Sequence, residues 1–161
     1  MHQEIRLNAP EGARSQGQNM SLKVELKPNE RLIIGDCVIT NSDQRTRLFI
    51  DGKAPILREK DILTKETANS PSKRIYFAIQ LMYLDDDIAG SQKEYFSLIN
   101  DLLKAAPSTL SLIDEINNEI LTGSLYKALK VAKKLIEYEQ GLLENAATGN
   151  SSLPTNGEAD S

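Results

Sequence analysis

Residues 31–62 read RLIIGDCVITNSDQRTRLFIDGKAPILREKDI, and the way this stretch is punctuated decides the fold. The apolar and β-branched runs Leu32-Ile33-Ile34, Val38-Ile39-Thr40 and Leu48-Phe49-Ile50 are separated by Gly35-Asp36, Asn41-Ser42-Asp43 and Asp51-Gly52. Runs this short between tight turns fit an antiparallel meander and are too brief for helices. Upstream, Ser21 to Lys27 alternates Leu22, Val24 and Leu26 with Lys23, Glu25 and Lys27, a strand with one buried and one solvated face. Pro28-Asn29 then turns the chain, because proline fixes φ and asparagine tolerates left-handed geometry. Strands are expected at 21–27, 31–34, 37–41, 45–50 and 55–58, forming a small sheet that needs a cover or a partner to be stable.

Beyond the polar connection 61–69 the period changes. Ser70-Pro71 reads as an N-cap and first helical residue, and the helix to Leu84 is apolar almost all round, as expected of a joint packed on the sheet and on later helices. Lys73 and Arg74 lie near its N-terminus and Asp85, Asp86 and Asp87 near its C-terminus, each opposing the helix dipole by roughly 0.3–1 kcal/mol where exposed. Ser91 and Glu94 form a capping box for a helix starting at about 92, with Tyr95, Phe96, Leu98, Ile99, Leu102 and Leu103 as its buried stripe and Pro107 as its stop. Ser108 or Thr109 caps a third helix, closed by Gly123; Ser124 caps a fourth, whose seam is Leu125, Leu129, Ala132, Ile136 and Leu143. The fold class is therefore α+β: a small N-terminal antiparallel β-sheet or barrel of about five strands, then a C-terminal bundle of about four helices. The expected organisation is a disordered leader at 1–19, a β domain at 20–69, helices at 70–144 and a disordered tail at 145–161. Because the strand pattern begins just after Met20, Met20 is the expected start of translation.

A chain of 161 residues with a net charge of -4 does not advertise an anionic ligand as a whole. Split along its length it does: residues 19–74 carry net +3 and residues 75–161 net -7. The longest apolar stretch, Ile75 to Leu84, spans ten residues, half of a membrane crossing, and no signal-peptide core precedes the strands, so a cytoplasmic protein without a membrane partner is expected. The one cysteine, Cys37, cannot form an internal disulfide; within an apolar run it reads as a small buried hydrophobe. The one histidine, His2, lies in the polar leader. With no glycine-rich phosphate loop, H-E-x-x-H, C-x-x-C or nucleophile elbow, neither catalysis nor a cofactor is expected. The Asp85-Asp86-Asp87 triplet lacks EF-hand spacing, so no metal is expected there. The carboxylate pairs Asp114-Glu115 and Glu137 with Glu139 fit solvated helix faces.

The cations of the first half carry the functional reading. Arg58, Arg45 and Arg47 are candidates to clamp phosphates or stack on unpaired bases of an RNA, with Lys60, Lys53 and Lys23 adding sequence-independent attraction. Phe49, the one aromatic of the sheet, has apolar neighbours that suggest the core. In the last helix Lys127, Lys130 and Lys134 fall in one row, with Lys133 adjacent: the wet side of an amphipathic helix or a docking surface for a partner.

The stretches LKVELKPNERLIIGDCVITN, DQRTRLFIDGKAPILREKDILT, KRIYFAIQLMYL and LTGSLYKALKVAKKLIEYE, within residues 20 to about 139, resemble the flagellar biosynthesis repressor family FlbT. The resemblance implies a cytoplasmic post-transcriptional regulator of flagellum biogenesis that binds the 5′ untranslated region of flagellin mRNA, repressing translation and promoting message decay. It also implies a functional connection to the regulator FlaF. An alternative expectation is a protein-interaction adaptor, engaging FlaF or flagellin, whose effect on mRNA is indirect. A second likeness is to the carbon-storage regulator CsrA: Leu26 to Ile39 is similar to that family's R-K-x-G-E-x-I-x-I-G-D-x-V hairpin and Leu57 to Ile62 to its H-R-E-E-I segment. On that comparison Arg58 falls on an RNA-contacting arginine, while the family's other contact arginine is replaced by Leu26. The chain is expected to be a monomer or a homodimer.

Overall fold

The computed structural model describes residues 21–85 and 88–160, with side chains described at 21–85 and 89–148. The leader with His2, the proposed start at Met20, and Asp86 and Asp87 lie outside the described residues. Two compact units divide between Asp61 and Ile62. The first holds strands β1 (Leu22–Leu26), β2 (Arg31–Ile34), β3 (Cys37–Thr40), β4 (Thr46–Ile50) and β5 (Ile56–Arg58), closed by a 3-10 turn at Glu59–Asp61. The second holds α1 (Pro71–Asp85), α2 (Ile88–Ala105), a 3-10 turn at Pro107–Thr109, α3 (Leu110–Leu121) and α4 (Leu125–Asp160). The α+β class and the order of five strands before four helices are those expected from the sequence. Helical assignment continues through the biased stretch from Asn145.

The strands do not pair as a meander. β1 pairs antiparallel with β4 in one sheet, and β2 lies between β3 and β5 in another. Both registers put one apolar face inward: Val24, Leu26 and Leu32 are buried, with Ile34, Leu48, Ile50 and Ile56 packed against them, so the two sheets share a core. Only the β2–β3 connection is the expected two-residue hairpin, with Gly35 at φ +63° on its first central residue, the II′ pattern that matches strand twist.

Asn41, expected as a turn former, is a buried hub. Its Nδ2 donates to the carbonyls of Lys27 and Gln44, each at 2.8 Å, and of Leu26 at 3.3 Å; its Oδ1 accepts from the Ser42 N–H and the Thr46 hydroxyl, each at 2.9 Å. One side chain thereby satisfies backbone groups at the end of β1, including the buried Leu26 carbonyl, and in the loop leading to β4. Cys37 departs from expectation: it is exposed, because every residue of the short outer strand β3 is exposed.

In the helical unit, α1 packs against α2 and α4, and α4 also packs against α3. Its core is Ile75, Tyr76, Ile79 and Met82 of α1, Tyr95, Ile99 and Leu102 of α2, Ile113 and Ile116 of α3, and Ala128, Leu129, Ala132 and Leu135 of α4. Phe96 and Leu143, placed on buried seams by spacing, are exposed. α2 starts at Ile88, so Ser91 of the capping box falls in its first turn and not at the cap. Gln80, polar in the midst of apolar α1, is buried and grips the backbone of Leu63: its Oε1 accepts the Leu63 N–H and its Nε2 donates to the Leu63 carbonyl, both at 2.9 Å. That pair explains why the connecting segment belongs with the helices.

Glu139 corrects a further expectation, that it lies on a solvated helix face. It is buried, accepting the Ser70 hydroxyl at 2.6 Å and the Ser72 N–H at 3.1 Å, while Ser70 Oγ accepts the Lys73 N–H at 3.2 Å. A carboxylate from α4 thus supplies the negative charge that the first turn of α1 lacks. Glu139→Ala should destabilise the protein by roughly 1–2 kcal/mol, the usual cost of losing a helix cap, with Glu139→Gln costing less. Asn41→Ala should cost roughly 2–3 kcal/mol, because buried carbonyls lose their donor. Urea unfolding followed by circular dichroism measures both.

Candidate nucleic-acid interface

The β1–β4 register sorts the candidate cations by face. Lys23 pairs with Phe49 and Glu25 with Arg47, so these four side chains share the outer face of the sheet opposite the core. All four are exposed, Phe49 by 62%. Phe49 is therefore not the core residue its neighbours suggested: Leu48 and Ile50 take the inner face, and strand alternation turns the ring out. The local signal for this is the period of two, which puts Phe49 on the same face as the charged Arg47. Arg47 reaches Glu25 across the strands at 3.3 Å, an exposed pair worth little in water and open to competition by a phosphate.

Arg58 stands elsewhere. Paired with Leu32 in register, it lies on the inner face of the second sheet, where its Nη2 donates to the Glu25 carbonyl at 2.7 Å and meets the Glu30 carboxylate at 3.3 Å. It is a bracket between the sheets. Glu30 is in turn held by the Lys27 N–H at 2.8 Å. That hydrogen bond first, and Arg58 after it, hold the Glu30 carboxyl below its ordinary value of 4.5 against the opposing effect of burial. Arg45 is exposed at the entrance to β4, Lys53 is exposed after Gly52, and Lys60 is exposed in the 3-10 turn. The structure thus brings Lys23 and Arg47 onto one face, adds Phe49, and draws Arg58 inward.

The helical unit offers different chemistry. Lys127, Lys130 and Lys134 are exposed, and Lys130 lies 5.4 Å from the centre of the Tyr126 ring, which sits 5.9 Å from the Tyr83 ring at a tilt of 42°. Lys73 and Arg74 also belong here. Arg74 lines a groove of about 330 Å³ with Lys65, Phe77, Leu81, Ser91 and Glu94. Tyr95 is fully buried, its hydroxyl donating to Asn117 Oδ1 at 2.6 Å, and desolvation pushes its pKa far above the ordinary tyrosine value. Among the described residues no group of three or more His, Cys, Asp or Glu could hold a metal ion, and no helix is long and apolar enough to cross a membrane.

A unit of two small antiparallel sheets followed in the chain by a unit of helices defines an α+β class of protein. Within that class the relatives are specific. The profile of the family described as Flagellar protein FlbT matches residues 22–143, and the chain belongs to that family. It is 58% identical over 124 residues to the probable flagellum biosynthesis repressor protein FlbT 1 of Bradyrhizobium diazoefficiens, covering 76% of this chain and 85% of that one. A relative described as a probable flagellum biosynthesis repressor protein FlbT in Rhodopseudomonas palustris is 56% identical over 124 residues, covering 77% and 98%. The flagellum biosynthesis repressor protein FlbT of Caulobacter vibrioides is 35% identical over 135 residues, covering 81% and 94%. No solved structure matches the chain.

The Glu30 geometry has a pH consequence. A carboxylate whose folded pKa is lowered contributes its full stability above its unfolded pKa, here about 4.5, and loses it as pH falls through the lower folded value. Unfolding free energy of the wild type should therefore fall more steeply below pH 4.5 than that of Glu30→Gln. Arg58→Ala should cost roughly 1–2 kcal/mol near neutral pH, less than a fully buried ion pair because the side chain is 34% exposed. Equilibrium denaturation across pH reads both effects.

Proposed function

We propose that this chain is a cytoplasmic regulator of flagellum biosynthesis that represses translation of flagellin mRNA by binding its 5′ untranslated region and favouring message decay. The repressor names carried by its relatives support the regulatory part. The observation that carries the RNA part is Phe49, exposed between Lys23 and Arg47 on the outer face of the β1–β4 sheet. Single-stranded RNA is bound by combining a ring on which a base stacks with cations that meet the backbone, and this face has both. Arg45 extends the cationic row at the entrance of β4, and Lys53 and Lys60 add long-range attraction. Arg58 acts by holding the frame in which that face is presented. The carbon-storage regulator likeness is compatible with a β surface that meets a messenger leader, though the contact arginine of that family corresponds here to an inward residue.

A second reading has its own support. The helical unit exposes the large apolar side chains Phe96, Leu110, Leu121 and Leu143, which an adaptor engaging FlaF or flagellin, with an indirect effect on the message, would use.

The discriminating measurement is fluorescence anisotropy of a labelled flagellin leader RNA with purified protein alone, at several salt concentrations. Phe49→Ala should lose roughly 1–3 kcal/mol, one stacked base. Lys23→Ala with Arg47→Ala should reduce the salt slope by about 0.7 per lost phosphate contact. Glu25→Gln, which frees Arg47, should tighten binding. No binding at low salt, or variants indistinguishable from wild type, would reject the RNA face and leave the adaptor reading.

A further inference from the structure

Strand β3 has an outer edge whose pattern of hydrogen-bonding groups can be derived. The Asn41 N–H donates to the Glu30 carbonyl at 2.9 Å, and the register continues with Arg31 opposite Thr40, Leu32 opposite Ile39, Ile33 opposite Val38 and Ile34 opposite Cys37. Hydrogen-bonded and non-hydrogen-bonded pairs alternate along an antiparallel ladder. Asn41, Ile39 and Cys37 therefore direct their backbone groups toward β2, and Thr40 and Val38 direct theirs away from it. Among the described residues no strand other than β2 lies beside β3.

The same edge lacks the devices that keep sheet edges apart. β1 carries Lys23 and Glu25, β2 carries Arg31, β4 carries Arg47 and β5 carries Arg58; β3, Cys37-Val38-Ile39-Thr40, has no charge and no proline. Its two large apolar side chains are out in solvent, Val38 by 62% and Ile39 by 38%. An uncharged, exposed strand of this kind is a template for another strand.

We propose that β3 is a self-association edge, on which a second copy of this chain pairs its own β3 antiparallel across a two-fold axis through Ile39. The outward groups are symmetric about that residue: Val38 meets Thr40 of the partner and Thr40 meets Val38 of the partner, each pair exchanging both backbone hydrogen bonds. An isologous pairing of this kind closes on itself, joins two three-stranded sheets into one of six strands, and places the two Ile39 side chains face to face. A second copy is the occupant because the edge is complementary to itself in this register without any other sequence being specified. Cys37 falls opposite Asn41 of the partner, so the native cysteine takes no part.

Sedimentation velocity of the full chain tests the proposal, with Val38→Lys as the first variant, since a residue this exposed tolerates lysine in the folded monomer. The expected result is a dimer for wild type and loss of the dimer boundary for Val38→Lys at the same concentration, with an unchanged circular dichroism spectrum. Cys37→Ser with Ile39→Cys tests the register: the two substituted side chains face each other at a non-hydrogen-bonded site, Cα atoms about 4.5 Å apart, within disulfide reach. Air oxidation should give a covalent dimer for that variant and not for Cys37→Ser with Asp43→Cys. A wild type that sediments as a monomer at tens of micromolar, or a dimer that Val38→Lys leaves intact, would overturn the proposal; a dimer that Val38→Lys abolishes but Ile39→Cys does not cross-link would overturn the register.

Discussion

The β unit depends on how two small sheets, too thin to be stable separately, are made to close over one apolar cluster. Side chains that reach from one segment's backbone to another do this. Asn41 gathers the carbonyls of Leu26, Lys27 and Gln44, and Arg58 crosses from β5 to the Glu25 carbonyl and the Glu30 carboxylate. Each answers the same demand, that a backbone group removed from water must find a partner. With the sheets so held, Val24, Leu26 and Leu32 are sealed, and the outer face of β1 and β4 carries Lys23, Phe49 and Arg47 together.

The helical unit uses the same device. Glu139 and Gln80 are polar residues buried within apolar surroundings, and each terminates a backbone problem: one at the first turn of α1, the other in the segment that enters it. The basic residues at the N-terminus of α1 are answered by a carboxylate from α4, far along the chain. The Glu139 carboxylate thereby offsets the cost of Lys73 and Arg74 at the N-terminus of α1.

The proposed RNA contact and the proposed self-association fall on different parts of the β unit. The outer face of β1–β4 carries Lys23, Glu25, Arg47 and the exposed Phe49 ring, while the edge strand β3 has neither charge nor aromatic ring. A two-fold pairing through β3 would present two such outer faces on one particle, and their joint engagement of a single RNA would raise the effective concentration of the second contact.

Sequence alone determined the strand spans almost to the residue, the hairpin at Gly35-Asp36 and the number of helices, because turn residues and hydrophobic periods are local signals; the family was legible separately, in long stretches that resemble it. It also nominated Lys23, Arg47 and Arg45. Only the tertiary structure decided which cations are free. Arg58, the leading candidate by motif, is turned inward by its register with Leu32, and Phe49, a core residue by its neighbours in sequence, is turned outward by its register with Lys23. Pairing of β1 with β4 and of β2 with β5 joins residues distant in the chain, and no local pattern specifies it. The fate of Cys37, Glu139 and Gln80 followed the same rule: whether a side chain is exposed, capping or gripping a backbone depends on which segment arrives beside it, and that is set by packing.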